Sequence, residues 1–321
     1  MVQEQPHLVP AIAGWVAALL VGAAVIALAP RLRAMAHPNE RSSHTQPTPT
    51  LGGLSFVVPL LVWLVVAPTD WGSTLLIPLA VLAVTGLLDD LFELPNALRL
   101  LVQVGCVAGW LVLAFPDLPL WWYLPFVGAV VWFVNLCNFM DGIDGIMATQ
   151  ALTFVVSALL LMDMPGTSLA QSCWLIAGGM LGFLSYNWPP ARLFMGDVGS
   201  LVLGLMLAAL ALEMARQEVL PLVASVVLLS VFWFDASYTL IMRVVTRQNF
   251  LRAHKSHLYQ RMAQWRGHLW TTAAFATYAM IYLLPLAWLS VESPAMGWWA
   301  VVLAVLPLAV LGWRFRAGLV S

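Results

Sequence analysis

The chain has 321 residues, of which 62% are hydrophobic and 9% are charged, and its mean hydropathy is +0.89. A water-soluble domain cannot cover so much apolar surface, so the composition excludes a soluble protein. It predicts an all-α, polytopic membrane protein whose surroundings are the lipid bilayer. The net charge of −1 favours no class of partner, and no nucleic-acid partner is expected.

The first residues, MVQEQPHLVP, lack the basic segment of a secretory signal and include Glu4. The first apolar segment is therefore predicted to be a retained helix. Cys106, Cys137 and Cys173 fall in or beside apolar segments without CxxC spacing. They are predicted to be buried, inert thiols rather than metal ligands or disulfide partners.

Eleven apolar segments follow one another, each near the length that crosses the hydrocarbon core of a bilayer. They predict about eleven transmembrane helices in a single transmembrane domain over residues 1–321. The fifth and eighth segments are short for a span. The segments cover residues 8–30, 51–67, 73–88, 98–115, 122–136, 143–162, 169–186, 198–213, 219–242, 269–289 and 297–313.

The basic residues predict the orientation. With the N-terminus on the periplasmic side, thirteen of the fourteen Lys and Arg residues are cytoplasmic, and only Arg216 is outside. An even helix count would place Arg314 and Arg316 outside, which favours eleven helices and a cytoplasmic C-terminus. This orientation gathers five polar segments on the cytoplasmic side, around residues 31–50, 89–97, 137–145, 187–198 and 243–268.

Acidic residues stand at the predicted ends of three helices. Asp89 and Asp90 close the third helix, where carboxylates oppose the helix dipole. Their placement predicts a nearby cation, most simply Mg²⁺, or a group with a raised pKa. Asp141 and Asp144 open the sixth helix, and Asp197 opens the eighth. At these three positions a role as a helix N-cap is the structural alternative to a functional role.

Two longer polar loops lie on the same predicted side. In loop 37–53 the prolines predict an extended path and Gly52–Gly53 permits close backbone approach; the alternative is an ordinary solvated loop. Segment 243–268 holds six of the fourteen basic residues and three of the six histidines. It is either a topology anchor near anionic lipid or a phosphate-binding loop that uses Arg252, Lys255 or Arg261.

Three further side chains carry two interpretations each. His254 and His257 have a spacing that can ligate a metal, although phosphate binding by their basic neighbours fits the segment better. Asp235 lies within the ninth apolar segment, about two turns before its cytoplasmic end. It is either a functional intramembrane acid or a hydrogen-bond acceptor for a neighbouring helix.

Carboxylates, amides and a cationic loop on one membrane face suit a metal-bridged diphosphate, whose metal the acids hold and whose phosphates the cations neutralise. A site at this boundary could admit a soluble nucleotide and a phosphorylated lipid. The alternative function is a secondary transporter that uses intramembrane carboxylates. Transporters place their ligand near the bilayer midplane between repeats, whereas here the acids cluster at one interface and no repeat is evident.

Four motifs resemble the polyprenyl-phosphate N-acetylhexosamine-1-phosphate transferases of glycosyltransferase family 4, a superfamily that includes phospho-N-acetylmuramoyl-pentapeptide transferase. They are TPTLGG (48–53), LDD (88–90), NLCNFMDGIDG (135–145) and NWPPARLFMGDVGS (187–200), in family order. The resemblance implies transfer of a sugar 1-phosphate from a UDP-sugar to undecaprenyl phosphate, with release of UMP. It also implies Mg²⁺, with Mn²⁺ as an alternative, and the bacterial inner membrane; monomer and homodimer are both compatible with it.

The resemblance also implies roles for single residues. Asp197 would bind Mg²⁺ together with Asp89 and Asp90, one of which deprotonates or orients the attacking lipid phosphate. Asp141 and Asp144 would complete the catalytic set. The implied substrate-binding residues are Thr48, Thr50, Asn135, Asn138, Asn187, Phe194, His254, His257 and Arg261.

Two departures from the peptidoglycan enzyme bear on the substrate. That enzyme has consecutive histidines where this chain has HKSHLYQR (254–261), and lysines where this chain has SHTQ (43–46). Both differences point away from the pentapeptide substrate. They resemble the branch that initiates O-antigen of lipopolysaccharide or other surface polysaccharides, whose donors include UDP-GlcNAc and UDP-N-acetylated 6-deoxyhexosamines.

Overall fold

The computed structural model describes residues 8–32, 34–36, 47–162, 166–248 and 254–319. These residues form fourteen α-helices and one short pair of strands. The helices are α1 (Leu8–Leu32), α2 (Leu54–Val66), α3 (Asp70–Phe92), α4 (Asn96–Ala114), α5 (Leu120–Met140), α6 (Ile146–Leu161), α7 (Ser168–Asn187), α8 (Asp197–Arg216), α9 (Leu222–Leu228), α10 (Ser230–Val245), α11 (Leu258–Arg266), α12 (His268–Thr277), α13 (Leu284–Glu292) and α14 (Gly297–Arg314).

The strands are β1 (Met35–Ala36) and β2 (Thr48–Pro49), which pair antiparallel. The sequence predicts an extended path before Gly52 but no strand, so this small pair is an addition to the predicted all-α fold. A π-helical turn, Tyr278–Leu283, joins α12 to α13, and a 3₁₀ turn, Pro294–Met296, precedes α14.

All eleven predicted apolar segments contain helix, and the predicted fold class is confirmed. Among the described residues, eight helical stretches are long and apolar enough to cross a membrane, and the bent pair α9–α10 makes nine. The short fifth and eighth segments form α5 and α8, with 21 and 20 residues. The apolar helices α2 and α6 have only 13 and 16 residues, so eleven crossings and the orientation stay predictions.

Helix α8 is the centre of the bundle. It is buried along nearly its whole length and packs between α3 and α5, with further contacts to α2, α6, α7 and α9. Glycines permit the closest of these approaches. A Cβ atom at Gly86 of α3 would lie 2.5 Å from the carbonyl oxygen of Asp197, and one at Gly53 would lie 2.3 Å from the Cα of Gly199. The start of α8 is thus fixed against the end of α3.

One end of the bundle gathers six helix termini. Side-chain and backbone contacts join the ends of α3, α5 and α7 to the starts of α4, α6 and α8. The predicted acidic residues stand at these termini. The other end of the bundle carries turns such as 115–119 and 217–221.

Candidate active site

Arg99, in the first turn of α4, joins two of the predicted acids. Its Nη1 atom donates to Oδ2 of Asp89 and, at 2.8 Å, to Oδ2 of Asp197. Its Nη2 atom donates to Asn96 at 2.7 Å. The side chains of Arg99, Asp89 and Asp197 are 27%, 10% and 23% exposed, so the cluster lies at the edge of the protein interior. Two carboxylate oxygens therefore face a single cationic nitrogen atom.

Asp90 serves a different purpose from its neighbour Asp89. Its Oδ1 accepts a hydrogen bond from the backbone N–H of Asp197 at 2.9 Å, and its Oδ2 accepts one from Val198 at 3.1 Å. The first N–H groups of a helix lack partners within the helix, and a carboxylate satisfies them and complements the dipole. Asp90 of α3 thus caps α8. The close fit needs Gly196, whose φ is +72° and where a Cβ would lie 2.6 Å from Asp90.

Asn138 of α5 orients the Asp197 carboxylate from the other side. Its Nδ2 atom donates to Oδ1 of Asp197 at 2.8 Å and to the hydroxyl of Ser200 at 3.0 Å. Arg99 and Asn138 therefore hold one oxygen each of Asp197. The predicted site residues Asp89, Asp197 and Asn138 are brought together as expected.

Asp141 adds a further carboxylate directly after α5. Its side chain is half-buried and has no hydrogen-bond partner among the described residues. Burial raises the pKa of Asp141 well above its usual range, and the neighbouring carboxylates of Asp197, Asp90 and Asp144 raise it further. A raised pKa favours the protonated, uncharged form of Asp141, so the site brings together more acidic groups than its side-chain cations compensate.

Asp144 connects the loop after α5 to two other segments. Its Oδ2 accepts from the backbone N–H of Ala191 at 3.0 Å and lies 3.2 Å from Nδ1 of His268. The hydroxyl of Thr272 donates to its carbonyl oxygen at 2.9 Å. The N-cap alternative is wrong for Asp141, Asp144 and Asp197, because the N-cap position of α6 is occupied by Gly145 and that of α8 by Gly196.

The buried side chain of Asn187 links two loops by hydrogen bonds. Its Oδ1 accepts from the backbone N–H of Gly145 at 2.9 Å, and its Nδ2 donates to the carbonyl of Leu193 at 2.8 Å. Asn135 has a similar role deeper in the bundle, where its Nδ2 donates to Gln103 at 2.6 Å and to Val131 at 2.8 Å. Substrate contacts by these two amides stay predictions, and the structure places both in internal hydrogen bonds.

The TPTLGG motif is joined to the motif before α8 through backbone bonds. Phe194 donates its N–H to Pro49 at 2.9 Å and accepts from Gly52 at 2.8 Å. Thr48 is buried in β2, and the buried hydroxyl of Thr50 has no hydrogen-bond partner among the described residues. The two motifs therefore form one unit beside the acids, while residues 37–46 of the predicted loop lie outside the described residues.

The histidine loop, residues 254–257, lies between α10 and α11. His254 stacks on the buried His257 with ring centroids 4.9 Å apart, and the Nδ1 of His254 lies 2.9 Å from the hydroxyl of Ser256. Helix α11, which follows the loop, contacts the end of α5: the hydroxyl of the buried Tyr259 donates to the carbonyl of Phe139 at 2.9 Å. The loop is thus adjacent to the turn that carries Asp141.

Asp235 caps α11, just as Asp90 caps α8. Its Oδ1 and Oδ2 accept from the backbone N–H groups of Leu258 and Tyr259 at 2.8 and 2.9 Å. It also accepts from the hydroxyl of Thr239 at 3.3 Å. Of the two interpretations of this intramembrane acid, the hydrogen bond to a neighbouring helix is the one that the structure contains.

The three cations predicted to bind phosphate do not share one location. Arg261 donates a hydrogen bond from its Nη2 atom to the carbonyl of Leu319 at 2.7 Å. Lys255 is half-buried in the histidine loop. Arg252 lies outside the described residues.

Sequence reasoning missed the role of Arg99, which it used only for orientation. A detectable signal existed, because a cation in the first turn of α4 opposes the helix dipole just as acids at the end of α3 do. His268 and Tyr259 were missed as well. Their partners, Asp144 and Phe139, lie more than 100 positions away in the sequence.

The described residues contain no group of three or more His, Cys, Asp or Glu side chains arranged as a complete metal site. The reason is visible in the contacts: Asp90 is turned to the backbone of α8, whereas Asp89 and Asp197 close on Arg99. Mg²⁺ nevertheless prefers carboxylate oxygens as ligands, and two such oxygens converge here on one positively charged group. Asp89 and Asp197 could therefore hold such an ion.

The fold and the site define a multi-pass membrane protein whose polar centre lies at the meeting point of helix ends. Glycosyl transferase family 4 matches residues 73–215. Phospho-N-acetylmuramoyl-pentapeptide-transferase of Moorella thermoacetica is 32% identical over 317 residues, which cover 86% of this chain and 98% of that protein. The chain belongs to glycosyl transferase family 4, and it is therefore a transferase.

Other relatives carry a different substrate in their names. The probable undecaprenyl-phosphate N-acetylglucosaminyl 1-phosphate transferase of Bacillus subtilis is 29% identical over 266 residues, 76% of this chain and 74% of that protein. The decaprenyl-phosphate N-acetylglucosaminephosphotransferase of Mycobacterium leprae is 30% identical over 294 residues, 74% of this chain and 72% of that protein. Overall identity thus does not separate the two kinds of substrate.

Proposed function

We propose that this protein transfers an N-acetylhexosamine 1-phosphate from a UDP-sugar to undecaprenyl phosphate and releases UMP. The observation that carries the proposal is the convergence of Asp89, Asp197 and Arg99 where α3, α4 and α8 meet. Phosphoryl transfer depends mainly on positioning and on stabilisation of charge, and this cluster offers both. The relatives named for undecaprenyl or decaprenyl phosphate support the same acceptor class.

The reaction balances as a displacement at phosphorus. A phosphate oxygen of the lipid forms a bond to the β-phosphorus of the donor, and the bond from that phosphorus to the bridging oxygen breaks. The bridging oxygen leaves with UMP, and the lipid carries the sugar as a diphosphate. Of the two acids predicted for this step, Asp89 or Asp90, we assign Asp89 to orient or deprotonate the attacking phosphate, because both oxygens of Asp90 accept backbone N–H groups of α8. Asp141 and Asp144 would complete the polar wall.

We infer that Asp197 and Asp89 hold Mg²⁺, or Mn²⁺ in its place, once Arg99 yields their oxygens. When bound, the ion would polarise the phosphoryl oxygens and neutralise negative charge. Asp90 supports this arrangement indirectly, because its hydrogen bonds to α8 fix the backbone that presents Asp197. Asn138 holds the other oxygen of Asp197.

The proposed product is the first lipid-linked sugar of O-antigen or another surface polysaccharide, made at the cytoplasmic face of the bacterial inner membrane. Support comes from the histidine loop, where Lys255 and Ser256 stand between the two histidines and the hydroxyl of Ser256 lies 2.9 Å from the Nδ1 of His254. Consecutive histidines, the pattern of the pentapeptide enzymes, would replace that hydroxyl. The donor is therefore proposed to be a UDP-N-acetylhexosamine rather than a pentapeptide-bearing nucleotide.

The test is a UMP-release assay on the purified protein with undecaprenyl phosphate. The donors are UDP-GlcNAc, UDP-N-acetylated 6-deoxyhexosamines and UDP-N-acetylmuramoyl-pentapeptide, each with and without EDTA. Metal-dependent UMP release from an N-acetylhexosamine donor supports the proposal. Release of UMP only from the pentapeptide donor would contradict the proposed substrate. No release of UMP by the folded protein with any donor would favour the transporter alternative.

A further inference from the structure

The C-terminal turn, defined as Phe315–Leu319 after α14, forms hydrogen bonds with the histidine loop and with the segments on both sides of it. Gly318 donates its backbone N–H to the carbonyl of Ser256 at 2.8 Å. Gln248, just after α10, donates its Nε2 to the carbonyl of Gly318 at 3.0 Å. Arg261 of α11 donates to the carbonyl of Leu319 at 2.7 Å. The turn thus contacts the loop itself and the helices on both sides of it.

Packing reinforces these hydrogen bonds. Ala317 is 1% exposed, and the ring of Phe315 lies 5.7 Å from that of Trp265 on α11. Gly318 has a φ of +78°, and a Cβ there would lie 2.7 Å from the carbonyl oxygen of Thr239 and 2.7 Å from Met242 on α10. Only a glycine fits this conformation and this gap without strain.

Ser256 transmits the contact to His254. Its carbonyl is held by Gly318, its side chain lies 2.9 Å from the Nδ1 of His254, and the residue is 5% exposed. His254 also stacks on the buried His257. A chain of direct contacts therefore runs from the end of α14 through Ser256 to His254, the half-buried member of the histidine pair.

We propose that the C-terminal turn is a positioning element for substrate binding, which acts through Ser256 to fix the His254 ring toward the diphosphate or sugar of the donor. The proposal rests on the proposed function. It assigns Arg261 a role as an anchor of this turn instead of a phosphate ligand. Preorganised side chains lower the conformational cost of binding, so a loosened turn weakens donor binding more than it slows the bound complex.

The first variant is Gly318→Ala, which adds the Cβ that the gap excludes. Its matched control is Gly166→Ala, because Gly166 also has a positive φ, of +99°, but a Cβ there meets no atom within 4 Å. Both variants pay for backbone strain, and only the first displaces the turn. The expected result is a donor KM raised about three- to tenfold in Gly318→Ala, the worth of one hydrogen bond, with kcat within about twofold.

A double-mutant cycle separates positioning from general destabilisation. In a His254→Ala background, Gly318→Ala is expected to add nothing further to KM, because the ring that the turn positions is gone. Full additivity of the two changes would overturn the proposal. A gentler variant, Gln248→Ala, removes one hydrogen bond to Gly318 and keeps the test usable if Gly318→Ala does not fold; its KM is expected to rise as well.

Amide hydrogen exchange provides a readout that needs no catalysis. Faster exchange at residues 254–258 in Gly318→Ala or Gln248→Ala, but not in Gly166→Ala, is expected for the full-length protein in detergent or nanodiscs. Unchanged exchange in both test variants overturns the proposal even if UMP release is normal. Absence of UMP release in the unmodified protein would instead contradict the proposed function and leave this measurement valid.

Discussion

Asp90 and Asp197 are both acids, yet they are joined by a hydrogen bond in which the Asp90 carboxylate accepts the backbone N–H of Asp197. The bond links α3 to α8 across 107 positions of sequence. It leaves the Asp197 carboxylate to Arg99 and Asn138. Two acids of one cluster thus have separate tasks, one in the fold and one facing the site.

The first prediction concerns that division. Asp90→Ala removes the cap of α8, and the free energy of unfolding is expected to fall by about 1–2 kcal/mol because two N–H groups lose their acceptor. Thermal unfolding in detergent measures it. Asp117→Ala, an exposed acid in the turn between α4 and α5, is the control and should leave the midpoint unchanged. Equal midpoints for the two variants would contradict the capping role.

The second prediction concerns turnover. Asp197→Asn and Asp89→Asn each remove one negative charge at nearly constant shape, and each is expected to reduce UMP release by about 100-fold or more. Their unfolding midpoints should stay near that of the unmodified protein, since Asp90 still caps α8. Asp117→Asn is the matched control for a lost acidic charge. Near-normal turnover in either test variant would remove that residue from the proposed mechanism.

The third prediction concerns Arg99 as a competitor of the metal ion. Arg99→Met removes the positive charge between Asp89 and Asp197, so Mg²⁺ should bind more tightly. A unit charge at close range contributes ~1 kcal/mol even in water, so the Mg²⁺ concentration for half-maximal thermal stabilisation should fall about fivefold. Arg247→Met, an exposed arginine after α10, controls for charge. A weaker response to Mg²⁺ in Arg99→Met would reverse the assigned role.

The fourth prediction concerns pH and the histidine loop. Burial lowers the pKa of His257 to about 3 and that of His254 to about 4, and the positive charge of Arg243 adds to both shifts. Asp235 lies 3.8 Å from His257, beyond hydrogen-bond distance, and its oxygens already accept backbone N–H groups. The neutral form of His257 is therefore favoured in the folded protein.

The sign of the effect follows from proton counts. Between pH 6.5, the ordinary histidine pKa, and about pH 4, the histidines are protonated in the unfolded chain but neutral in the folded chain. The contribution of these two histidines to the free energy of unfolding is therefore fully present above pH 6.5, and it should decrease as the pH falls from 6.5 towards 4. Unfolding midpoints of the unmodified protein and of His257→Gln across this range test it. Parallel curves for the two proteins would contradict it.

Some of the site could be predicted because helix-end chemistry is local. Acids at the end of α3 require a positive partner, and the structure supplies two, Arg99 for Asp89 and the start of α8 for Asp90. The amides could not be read in this way. Asn135 and Asn187 bind groups 32 and 42 positions away, and only the packing of helices decides whether an amide faces a ligand or another loop.

The position of α8 has a consequence for the order in which the chain matures. Its first residue completes a cluster whose other members, on α3, α4 and α5, are synthesised about 60 to 110 residues earlier. Before α8 is synthesised, Asp90 has no helix to cap, and Arg99 can pair with Asp89 but not with Asp197. Independent insertion of helices followed by their association is the general route for membrane bundles. The candidate site is therefore completed late, after the helices that carry Asp89, Arg99 and Asn138 have been synthesised.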